Sequence, residues 1–254
     1  MSTFASCRNK YHRAQTHFKS LERCIKTIPR ANIQQLVAEF DARTGDKVVL
    51  FQGRPHQPRA SAGLIIGDIV HNYRCALDHL ASGLVEANGG TPTRDIAFPI
   101  LRDKSSYNRH FDKMTKGMSL EAKTIIDSEQ PWKARNPRRG ETLKLLSELD
   151  NIDKHRHIHV TLTATNGGLF DPGLPLQVGV SGNWFIHTGS VDDGTVLARI
   201  PTGHEGLRFI PDFGLSFGPG TPGEGESVTG TMIAFDQLVA DIINGFDHVV
   251  PIYH

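Results

Sequence analysis

Two stretches of this chain crowd polar side chains at helical spacing. In HNYRCALDHL, residues 71–80, His71, Arg74 and Asp78 stand at i, i+3 and i+7, and Asn72 and His79 form a second stripe beside them. In LSELDNIDKHR, residues 146–156, Glu148, Asn151 and His155 repeat that spacing, with Asp150, Asp153 and Arg156 off the stripe. An imidazole gains and loses a proton near neutral pH, a guanidinium grips an oxyanion through two parallel N–H groups, and a carboxylate or amide orients either. Packed antiparallel, the two helices would pool His71, Asp78 and His79 with Glu148, Asn151, Asp153 and His155.

That pool admits acid–base catalysis, metal binding or a structural network. A metal-dependent hydrolase with a His/carboxylate site of zinc or iron/manganese type between the two helices would draw on His71, His79, Glu148 and His155. Neither helix carries HExxH or ExxH, and i, i+7 is longer than the usual ligand spacing, so the expectation is no cofactor, with a metal as the alternative. As a third reading, Asp78, Asn151, Asp153 and Arg156 form a satisfied network that fixes helix register in a binding or assembly protein. Cys75 lies in the middle of the polar face near His71 and His79, where a semi-buried structural thiol is preferred over a nucleophile.

Helices must hold these groups. Ile66, Ile69, Tyr73, Leu77, Leu80 and Leu84 recur every three or four residues and give the first motif a buried face. Leu145, Leu149 and Ile152, with Leu146 beside them, do the same for the second, in a helix starting near Gly140. An opening helix over 11–28 should end at Pro29, a hairpin should join 34–40 to 47–52 around Arg43-Thr44-Gly45-Asp46, and Ser119 should cap a helix over 119–128. The chain between Gly90 and Gly117 reads as irregular, anchored by the apolar run 96–100. Strands are expected at 158–163, 176–180, 184–187, 195–200, 207–215 and 227–233, followed by a helix over 235–249.

Helices and strands are thus segregated, and the expected fold is α+β: a helical bundle carrying the polar motifs, with an antiparallel sheet from the N-terminal hairpin and the C-terminal strands. The expected organisation is one compact unit over 1–254, with a helical motif region at about 63–157, a β-rich region at about 158–234 and a closing helix at about 235–249.

Composition narrows the partners. Lys and Arg number 28 against 27 Asp and Glu, a net charge of +1, so any RNA would be held by local patches such as 133–139 (KARNPRR) or 154–159 (KHRHIH). Cys7, Cys24 and Cys75 are odd in number and lack CxxC spacing, which fits a reducing, cytoplasmic setting. No apolar run is long enough to cross a bilayer, so a membrane role is not expected. Residues 218–226 are rich in glycine but lack the Lys-Ser/Thr and following helix of a phosphate loop.

The pairing of HNYRCALDHL with LSELDNIDKHR resembles a family of uncharacterised bacterial and phage-borne proteins that carry both motifs. Locally, the Arg74-x4-His79 spacing resembles the HEPN superfamily of helical, often ribonucleolytic proteins. That resemblance implies metal-independent RNA cleavage by 2′-hydroxyl attack, with Arg74 on the scissile phosphate, His79 in proton transfer and a homodimer pooling two motifs. Asp78 and His71 would then assist catalysis, and Asn72, Asn151, His155 and Arg156 would contact substrate.

Overall fold

The computed structural model describes residues 4–56, 61–171 and 184–249. The strand expected over 176–180 lies outside them. The architecture is α+β, with helices plus two antiparallel sheets. The chain divides into two compact units: Met1–Leu21, Gly63–Ile158 and Gly230–His254 form the first, and Glu22–Ala62 and His159–Thr229 the second.

The first unit is helical. It contains most of α1 (Ala5–Ile25), most of α3 (Ser61–Ala87), all of α4 (Lys104–Met114), α5 (Leu120–Ser128) and α6 (Pro137–Asp153), and most of α7 (Val228–Asn244); the short α2 (Ile28–Ile33) belongs to the second. Helix α3 is its spine. Ile66, Ile69, Tyr73, Leu77 and Leu80 are fully buried and Leu84 nearly so, as their spacing predicts. The helix ends in a Schellman arrangement, with Gly89 N–H donating to Glu86 O, Gly90 N–H to Val85 O, and Gly89 at φ +75. Tyr73 Oη donates to Asp236 Oδ1 on α7 over 2.8 Å, and Gln15 of α1 donates to the same oxygen over 3.1 Å, so three helices share one carboxylate.

Several helix boundaries differ from the sequence expectation for local reasons. Pro29 opens α2 instead of ending the first run, because proline's missing N–H costs nothing in a helix's first turn. Helix α4 lies in the stretch expected to be irregular; Asp103 caps it by accepting the Ser106 N–H over 2.8 Å. Helix α6 starts at Pro137, ahead of Gly140, capped by Asn136. Its buried face is Leu143, Leu146, Leu149 and Asp150, one position round from the stripe read in the sequence. The stretch expected as a strand over 227–233 is instead the first turns of α7. Ser119 caps α5 as expected.

The second unit is built on sheets. β1 (Leu36–Phe40) and β2 (Lys47–Phe51) form the expected hairpin, whose turn is held by Asp41 accepting the Arg43 and Thr44 N–H groups and by Gly45 at φ +79. One sheet runs β1-β2-β6-β4, adding β6 (Val196–Ile200) and β4 (Phe185–Ile186). The other runs β5-β3-β7, from β5 (Gly189–Ser190), β3 (Val160–Phe170) and β7 (Arg208–Phe217). Alternation along β7 buries Phe209, Phe213 and Leu215, and Phe51 of β2 meets Phe213 edge-on at 6.1 Å between centroids. Among the described residues no helix is long and apolar enough to cross a membrane.

Candidate functional site

Arg74 and Asp78 face the segment 96–101, not open solvent. Arg74 Nη2 donates to Phe98 O over 2.8 Å, and Phe98 N–H donates to Asp78 Oδ1 over 3.0 Å. Arg74 Nη1 is buried 2.9 Å from Asp78 Oδ1 without an aligned N–H, so that contact is ionic and not a directed hydrogen bond. Burial raises the Asp78 carboxyl pKa and the Arg74 charge opposes the rise. Just past the end of α5, the fully buried Gln130 donates to Pro99 O over 2.9 Å and accepts from Leu101 N–H over 3.1 Å. Two α3 side chains and one glutamine amide thus satisfy the backbone of a segment with no helix or strand of its own.

His79 turns elsewhere. Its Nδ1 shares a 2.6 Å hydrogen bond with Ser6 Oγ of α1. Asn72 is likewise occupied, donating to Asp68 O one turn back over 2.7 Å.

The polar cluster forms where α3 meets the C-terminal end of α6. Asp150 lies on the apolar stripe of α6, and its side chain is 3% exposed. His71 Nδ1 stands 3.2 Å from Asp150 Oδ1, while Lys154 Nζ donates to Asp150 Oδ2 over 2.6 Å. A carboxylate only accepts, so this contact places the neutral imidazole's proton on Nδ1 and makes Nε2 the acceptor. That Nε2 lies 3.4 Å from Cys75 Sγ, one turn along α3. Thiol, imidazole and carboxylate therefore form a chain, the arrangement by which a base is oriented on one side and deprotonates on the other. Burial holds the Cys75 thiol pKa up, partly offset by the positive charge of Lys10.

Beside this chain is an open depression of about 550 Å³ bordered by Asp68, Asp153, His155, Arg156 and His157. His17 of α1 approaches Asp68 from the rim at 3.7 Å. Burial raises the Asp153 carboxyl pKa, and the neighbouring Asp68 and Asp150 charges add to it. The helices approach closely here because α3 carries glycine: a Cβ on Gly67 would sit 2.0 Å from Asp153 Oδ1, and one on Gly63 would sit 2.5 Å from Ile158 O.

The pool expected from the sequence is therefore divided. His71 joins α6 through Asp150, and His155 and Arg156 border the depression. Arg74 and Asp78 hold Phe98, and Glu148 pairs with Arg102 at 3.2 Å. Asn151 is exposed on α6. Among the described residues no three His, Cys, Asp or Glu side chains are grouped to hold a metal ion, so His71, His79, Glu148 and His155 do not form a ligand set.

Sequence reasoning assigned no site role to Asp150, Asp68 or His17, and gave Lys154 only a place in the basic patch 154–159. Asp150 had a legible signal: with Leu143 and Leu146 it falls at i, i+3 and i+7, an acid on an apolar stripe, and a buried acid requires a partner. Comparison with family models, curated proteins and solved structures finds no match for this chain.

Proposed function

We propose that the protein is a metal-independent ribonuclease whose proton-transfer centre is His71, in place of the Arg74–His79 pair suggested by motif spacing. The observation that carries this reading is the contact from the half-exposed His71 imidazole, 51% exposed, to the buried Asp150 carboxylate. Asp150 orients the ring and stabilises the imidazolium formed when Nε2 takes a proton. In the proposed step Nε2 removes the proton of a ribose 2′-hydroxyl, and that oxygen attacks the adjacent phosphorus. The P–O5′ bond breaks, and the departing oxygen takes a proton from a second imidazole, His155 or His157. Arg156 and Lys154 supply positive charge for the phosphate. The products are a 2′,3′-cyclic phosphate and a 5′-hydroxyl, and a homodimer would present two such centres.

The test is cleavage of single-stranded RNA in excess chelator, with end-group analysis of the products. His71→Ala should lower kcat by about 10²–10⁴. Cleavage that persists undiminished in His71→Ala would sink the proposal.

The 3.4 Å contact between Cys75 Sγ and His71 Nε2 favours a second reading, in which the thiol is a nucleophile toward an activated acyl group. Cys75→Ala separates the two. Nucleophilic catalysis dies with the sulfur, whereas RNA cleavage through Nε2 survives it.

A further inference from the structure

The second unit carries a groove of about 480 Å³, within the range of small-molecule sites. Its walls are aliphatic and aromatic: Val37 of β1, Val49 of β2, Phe209 and Ile210 of β7, and Ile33 of α2. Ile33 and Ile210 remain 44% and 48% exposed, so large apolar side chains face water here. β1 ends one sheet and β7 ends the other, and among the described residues the only bridges β7 makes beyond β3 are at its far end, from Ser216 and Phe217, away from the groove.

The charges bordering the groove have one sign. Lys47 and Arg208 are the ionised side chains among its lining residues. Lys47 Nζ is fixed by donating to Glu205 O over 2.8 Å and to Leu207 O over 2.9 Å, which leaves its third N–H unspent. Arg208 is exposed, and among the described residues its guanidinium has no carboxylate partner. An uncovered apolar surface bordered by an unpaired guanidinium and a fixed ammonium complements a molecule with a hydrocarbon body and one anionic head.

We propose that this groove binds an aliphatic carboxylate of fatty-acid type, its chain against Ile33, Val49 and Ile210 and its carboxylate on Arg208 and Lys47. The site lies wholly within the second unit and is independent of the His71 chemistry.

The test is titration calorimetry of the full chain with decanoate, and separately with decanol, below their aggregation concentrations. Decanoate should bind at least about tenfold more tightly than decanol, the difference expected of a charge-assisted contact. Arg208→Gln should weaken decanoate about tenfold and leave decanol unchanged, while Ala38→Trp, at an exposed lining position, should block both. Thermal melts matching the parent protein establish that both variants are folded. Equal binding of acid and alcohol, an unaltered affinity in Arg208→Gln, or no binding of decanoate would overturn the proposal.

Discussion

Arg74 and Asp78, one helical turn apart on α3, hold the carbonyl and the amide of the same residue, Phe98. The pair acts as an external strand edge for a segment that has no regular partner of its own. Removing either side chain leaves a buried polar group unmatched, which costs about 2–4 kcal/mol. Arg74→Ala and Asp78→Ala should therefore each lower the urea midpoint clearly and speed amide exchange at Phe98 and Leu101. Loss of any activity in Arg74→Ala is consequently not diagnostic of catalysis unless the fold is measured in the same sample.

Asp150→Asn keeps the size of the side chain and removes its charge. The amide can still accept from His71 Nδ1 but no longer stabilises an imidazolium, and Lys154 loses its counter-ion. Under the proposed reaction kcat should fall by about 10²–10⁴ with a smaller change in KM. Steady-state kinetics on an oligoribonucleotide check this. A fall in affinity alone would assign Asp150 to binding.

The α3 face, the hairpin at Gly45 and the α5 cap were legible in the sequence because each rests on local signals: period, turn chemistry and a capping hydroxyl. Helix α4 was also locally encoded, by Asp103 and Ser106, but its polar surface carries only Phe111 as a buried residue, so no apolar period revealed it. The stretch 227–233 reads as strand because Val228, Met232 and Ile233 are apolar or β-branched, yet tertiary packing of α7 overrides that local preference. The candidate site was half legible. Spacing singled out His71 and His155, but the partner of each depends on how α6 is rotated about its axis. A one-position error in its stripe moved Asp150 from the interface to the outside.

The two glycines at the α3–α6 approach should respond differently to alanine. Gly63→Ala drives a Cβ into the Ile158 carbonyl, which is backbone and cannot rotate away. It should destabilise the protein by about 2 kcal/mol or more despite the better helix propensity of alanine. Gly67→Ala meets only the Asp153 carboxylate, a side chain that can swing aside, and its cost should be smaller. Chemical denaturation of the two variants in parallel tests the order.

Asp153 makes stability fall with pH. Its carboxyl pKa is raised in the folded state, so the native protein keeps a proton over a pH range where the unfolded chain has released it. Its contribution is fully present below the ordinary aspartate range and is lost as pH rises through the raised value. Asp153→Asn removes that dependence. Its Tm should gain on the parent as pH is raised from about 4 to 7, and a constant difference would contradict the assignment.

The thiols should differ in reactivity. Burial pushes the Cys7 thiol up to about 11, and Cys75 is raised as well. Alkylation by iodoacetamide at neutral pH should spare Cys7, and the Cys75 rate should climb as pH passes the ordinary thiol range. Peptide mass mapping after timed quenching reads both. Rapid, pH-independent labelling of Cys75 would favour the thiol-nucleophile reading over RNA cleavage.

The carboxylate of Asp236, shared by Tyr73 and Gln15, has a consequence for the ribosome. The helices that supply those two partners are synthesised long before residue 236 exists, and most of the chain that makes up the second unit is translated in between. The first unit therefore cannot close until the last helix has been made. Until then the parts of α1 and α3 that pack on α7 must wait uncovered, or in the keeping of a chaperone, so slow translation near α7 should raise the yield of aggregated chains.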